Sequence, residues 1–215
     1  MILTDELQMY KDFCEENFSE SYFTKNFKLK IIEDIYKCLE AIDIYKETSE
    51  ISDSETATKF LLDLEYLLIN LLYSFPANNY FYYSSVIRSI SEICMRVCYS
   101  SQFKEAQYEK INTMGFRELD EALKKCYSIS MVVGENYAKL NQNFGSYSKI
   151  IHNQGAKPRL ELLEDCIKNN QLDNNKIKND LKVISMFCLI TLPTIFGIND
   201  TRLSTAQKMR LLALK

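Results

Sequence analysis

The stretch Glu55-Thr56-Ala57-Thr58-Lys59-Phe60-Leu61-Leu62-Asp63-Leu64-Glu65-Tyr66-Leu67-Leu68-Ile69-Asn70-Leu71-Leu72-Tyr73-Ser74 decides the fold class. Phe60, Leu61, Leu64, Leu67, Leu68 and Leu71 return at steps of one, three and four. That is the period of a helix with a broad apolar face, not the alternation of a strand. A face this wide belongs to a helix packed in the core. Ser52, with Glu55 three residues on, fits a capping box that opens the helix. Pro76 is expected to end it near Ser74.

The same period extends in both directions. A short helix is predicted over 5–17 and a longer one over 27–47, where Leu29, Ile32, Ile35, Leu39 and Ile42 recur. A polar loop, 48–54, precedes the central stretch. Further helices are predicted over 80–99, 116–125 and 128–140. Next comes a short helix started by Gly145 and Ser146 and closed by Gly155. Pro158 suits the first turn of another helix, ending in the Asn-rich 169–175. Helices over 179–196 and 204–214 complete the chain. Neither period-2 runs nor internal repeats occur, and five Gly and three Pro leave little turn chemistry for a β-rich fold. The expectation is an all-α, HEPN-like multi-helix bundle of about eight to ten helices in a single domain. Residues 1–50 would be an N-terminal helical extension and 200–215 a C-terminal docking helix.

At 215 residues the chain can bury about 70% of its unfolded surface and needs no disulfide or metal staple. The net charge of −3 argues against a general nucleic-acid coat protein but leaves room for a local basic site. The seven cysteines include no CxxC pair, and with one histidine they are a poor supply of zinc ligands. They read as small buried hydrophobes in a reducing compartment. No cofactor or metal is expected. The N-terminal residues lack a basic region and an apolar core, so the chain reads as cytoplasmic. The uncharged run 183–198 is shorter than a bilayer span and contains Pro193. It reads as a core or interface helix, and no membrane association is expected.

Metal-free acid–base chemistry at neutral pH falls first to histidine, and His152 is the only one. It would sit in the last turn of its short helix, where the dipole favours imidazolium. Ser148, four residues earlier, shares its face. The second candidate is the stripe Arg88, Glu92 and Arg96, at four-residue steps on a helix whose opposite arc carries Val86, Ile87, Ile90, Ile93, Cys94 and Val97. The stripe is either a solvated face with internal ion pairs or the wall of a groove where arginine meets phosphate. Tyr80-Phe81-Tyr82-Tyr83 precedes it, as core packing or as a stacking surface for unpaired bases. No GxGxxG, P-loop, HExxH or GxSxG pattern occurs.

Arg88-Ser-Ile-Ser-Glu92 on one core helix, Phe116-Arg117-Glu118-Leu119 further on, and Tyr147-Ser148-Lys149-Ile150-Ile151-His152 together resemble the HEPN superfamily. The resemblance is to bacterial members tied to phage defence and abortive infection, and it spans roughly residues 55–200 as a helical pattern. It implies metal-independent RNA cleavage at a composite site, often across a homodimer, with the 2′-hydroxyl attacking the adjacent phosphate. On this resemblance His152, Arg88, Arg96, Glu92 and Ser148 are the candidate catalytic residues. Arg117, Lys149, Tyr147 and Asn153 are candidate RNA contacts. The departure is an arginine the family places shortly before the histidine; the corresponding positions here are Tyr147, Ser146 and Gly145. Arg88, Arg96 or Arg117 would have to reach the site from elsewhere. The competing expectation is a non-catalytic module that dimerises or binds a partner protein.

Overall fold

A computed structural model of the chain describes residues 2–127, 131–152 and 172–214, and among these no strand occurs. The helices are α1 (Ile2–Asn17), α2 (Tyr22–Lys25), α3 (Leu29–Lys46), α4 (Ser49–Ser52), α5 (Glu55–Ala77), α6 (Tyr80–Gln102), α7 (Tyr108–Thr113), α8 (Phe116–Tyr127), α9 (Met131–His152), α10 (Asn174–Met186), α11 (Leu192–Ile195) and α12 (Thr205–Ala213). The protein is all-α. Its centre is α6, packed between α5 and α9, with α3 and α10 closing the core behind them.

The central stretch is the expected core helix: Phe60, Leu61, Leu64, Leu68 and Leu71 of α5 are fully buried. Both of its ends differ from expectation. Ser54, not Ser52, caps the N-terminus, its side chain accepting from the Ala57 N–H, while Ser52 closes the small helix α4 inside the supposed loop. At the other end α5 runs through Pro76 to Ala77, where Asn78 turns left-handed at φ 47°. Proline has no N–H for the Leu72 carbonyl, and the Tyr10 hydroxyl of α1 donates to that carbonyl at 2.7 Å instead. A long-range bond thus replaces the missing local one, and the helix continues.

The segment before residue 50 is part of the core rather than an appendage. Tyr10 and Cys14 of α1 and Ile32, Ile35, Cys38 and Ile42 of α3 join the same buried cluster as α5 and α6. The predicted docking helix, α12, docks on its own chain. A Ser204/Gln207 capping box opens it. Arg210 then spans Glu40 at 2.7 Å and Asp43 at 2.9 Å on α3.

Between α10 and α11 the chain widens into a π-helical turn, Phe187–Thr191, just ahead of Pro193. Proline removes one backbone donor and crowds the preceding turn, and the widened turn accommodates both effects. Asn136 of α9 ties it down, donating to the Val183 carbonyl at 2.9 Å and accepting from the Thr191 hydroxyl at 3.1 Å. The uncharged run 183–198 packs one side into the core, where Val183, Ile184, Phe187, Cys188 and Leu192 are buried, while Ile190 is exposed. Among the described residues α5 is the helix long and apolar enough to cross a membrane, with half of its most apolar window buried in the fold.

The histidine segment is not a short helix of its own. α9 runs without a break from Met131 through Gly145 to His152. The helix predicted after Pro158 lies outside the described residues, as do Asn153 and Gly155.

Candidate functional site

Asn79 starts α6, its side chain accepting from the Tyr82 N–H at 3.0 Å. The 23 residues that follow carry Arg88, Glu92 and Arg96 along one side. The apolar arc packs as expected, but the stripe is not a solvated face. The Arg96 side chain is only 8% exposed and that of Glu92 20%.

Arg96 is engaged through both terminal nitrogens. Its guanidinium donates to Glu92 Oε1 at 2.7 Å and to the Asn112 carbonyl at 2.6 Å, and it also meets the Asn112 side-chain oxygen. It thereby clamps the end of α7 against α6. This makes Arg96 a structural residue first: its terminal nitrogens are held by protein oxygens, and only its buried Nε has no hydrogen-bond partner among the described residues. A groove of about 360 Å³ lies alongside, with Asp63, Tyr66, Glu92, Arg96, Tyr108 and Asn112 in its walls.

Arg88 has a different setting. Its Nε donates to the Ser148 hydroxyl of α9 at 3.0 Å. A terminal nitrogen lies 3.6 Å from Glu92. The guanidinium sits 4.5 Å over the ring of Phe144, itself stacked parallel on Phe116. Arginine above an aromatic face is favourable and holds the fork in one orientation. Ser148 and Phe144 therefore hold Arg88 against α9, with Glu92 of α6 beside it. His152 lies one turn beyond Ser148, about 6 Å along the helix axis, and is exposed at the C-terminal end. Among the described residues no hydrogen bond or ion pair joins His152 to Arg88, Arg96 or Arg117. The fold brings Arg88 to the histidine's helix through Ser148 and Phe144.

The candidate RNA contacts separate. Arg117 is almost fully exposed on α8, pairing with Glu121 at 3.2 Å. Lys149 is exposed near the end of α9. Tyr147 is corrected: it is 1% exposed, its hydroxyl bound to Asp180, and it has no surface to offer a base.

Asp180 is a residue that sequence reasoning missed. It is 4% exposed on α10 and accepts from Tyr83 of α6 at 2.8 Å as well as from Tyr147 of α9. Lys176 stands 4.5 Å over the Tyr147 ring and 4.9 Å over that of Tyr80. Burial raises the Asp180 carboxyl above its ordinary value, opposed by the hydrogen bonds from Tyr147 and Tyr83 and the charge of Lys176. One carboxylate thus joins three helices. Its sequence signal is a lone acid in register with Ile177, Leu181 and Ile184 on the apolar arc.

No family model, curated protein or solved structure matches the chain.

Proposed function

We propose that the chain is a HEPN-like defence or toxin protein that cleaves RNA without a metal, at a site formed by Arg88, Ser148 and His152. The supporting observation is the 3.0 Å bond from Arg88 Nε to Ser148, which sets a guanidinium beside the helix that carries the histidine. It compensates for the arginine missing at 145–147. In the reaction the ribose 2′-oxygen bonds to phosphorus as the bond to the 5′-oxygen breaks. His152 moves one of the two protons, as base from the 2′-hydroxyl or as acid to the leaving 5′-oxygen, and solvent water accepts or supplies the other. Arg88 stabilises the charge that gathers on the phosphoryl oxygens. Glu92, between the two arginines, and Ser148 act as positioning residues.

The test compares wild type, His152→Ala and Arg88→Ala on a purified RNA substrate in the presence of a chelator, alongside growth and RNA integrity in expressing cells. Cleavage by wild type and its loss, by at least about a hundredfold, in His152→Ala is the expected result. Equal RNA profiles in all three end the nuclease reading. The second reading is then favoured, a non-catalytic helical module that binds protein, because α5 leaves Leu62, Tyr66 and Ile69 exposed.

A further inference from the structure

α5 is apolar on two sides, and only one of them is covered. Away from the buried arc, Leu62 is 51% exposed, Tyr66 67%, Ile69 56% and Tyr73 48%. Their spacing is four, three, four, the seam of a helix built to pack on another helix. No charged residue interrupts it. Beside it Met9 and Phe13 of α1, one turn apart, are 70% and 38% exposed. Ring contacts connect the two stripes: Phe13 to Phe18 at 5.9 Å, and Phe18 to Tyr73 at 5.5 Å. The result is one continuous patch across α1 and α5.

The geometry points to this patch as the contact face between two copies of the chain. The six side chains leave roughly 700 Å² exposed, above the usual largest patch of a monomer and close to the ~800 Å² that each partner of a standard interface buries. A four-three-four seam is its own complement. Rotated about a two-fold axis between Tyr66 and Ile69, α5 of one copy sets Leu62 opposite Tyr73 of the other and Tyr66 opposite Ile69, so that knobs enter holes along the full seam. Tyr66 and Tyr73 supply the aromatic anchors typical of such centres. The inference rests on this surface and not on the nuclease reading.

The experiment is sedimentation equilibrium of the full chain over a range of concentrations, for wild type and the double variant Tyr66→Glu/Ile69→Glu, with circular dichroism to establish folding. A dimeric wild type and a folded variant whose dimerisation is weakened at least about tenfold are expected. A second variant, Ile69→Cys, keeps the test decisive should the double variant misfold, because the residue lies near the axis and a short bifunctional maleimide should join two chains through it. A monomeric wild type overturns the proposal. So does a folded double variant that still dimerises, an Ile69→Cys variant that does not cross-link, or monomers that float with lipid vesicles. An inactive dimer would remove only the nuclease reading, and an active monomer only this one.

Discussion

Arg88 and Arg96 lie two turns apart on the same side of α6 and share Glu92, yet they have different roles. The surroundings of Arg96 are backbone: the end of α7 closes over it, and the carbonyl and side chain of Asn112 take its donors. The surroundings of Arg88 are side chains of a long helix: Ser148 holds one nitrogen and Phe144 supports the plane. A guanidinium enclosed by carbonyls is a structural rivet, because removing it strands several oxygens out of water. A guanidinium supported at its base and half open at its tip can still meet a ligand. Identical residue types at helical spacing acquire these roles from what packs opposite them.

The largest effect should come from removing the rivet. Arg96→Ala leaves the Asn112 carbonyl without this donor and Glu92 with only its longer contact to Arg88, and a loss of about 3–5 kcal/mol is expected from denaturant unfolding. A loss under about 1 kcal/mol would erase the contrast drawn above. Next is the carboxylate that joins α6, α9 and α10. Asp180→Asn weakens the acceptor for Tyr83 and Tyr147 and should cost about 1–3 kcal/mol. Its pH dependence has a definite sign. A carboxyl whose pKa is raised in the folded state binds its proton more tightly there than in the unfolded chain. Stability therefore falls as pH climbs from the ordinary value of 3.8 through the raised one. Relative to Asp180→Asn, the wild type should gain stability as pH is lowered from neutral toward about 4, and parallel unfolding curves across that window would contradict the burial argument.

Smaller effects sharpen the other side. Ser148→Ala should cost about 0.5–1.5 kcal/mol but lower RNA cleavage further than that, because Arg88 loses its anchor. Equal losses in stability and cleavage would reduce Ser148 to packing. Arg117→Ala should stay within about 0.5 kcal/mol of wild type, since its pair with Glu121 is solvent-exposed. A larger drop would place Arg117 in an interface.

How much was legible varies by residue. The core of α5, the apolar arc of α6 and the last helix beginning at Ser204 follow from local pattern, because burial of one face is set by spacing alone. The extent of α9 was misread at Gly145. A glycine inside a helix is disfavoured by about 1 kcal/mol, which packing on α6 outweighs. Pro76 was misread as a stop for a similar reason: the donor that replaces its missing N–H, Tyr10, lies 62 residues away. Asp180 announced itself only as an acid on an apolar arc, and its partners come from two other helices.

The sequence by itself therefore determined that this chain is helical, where most of its helices lie and which residue types could carry acid–base and phosphate chemistry. These are local matters of period, capping and composition. Only the tertiary structure decided which arginine is buried and which reaches the histidine's helix, that Tyr147 faces Asp180 rather than solvent, and that α5 keeps an uncovered seam. Each of those depends on what a neighbouring helix presents across the gap, and contact between residues tens of positions apart is set by packing rather than by spacing.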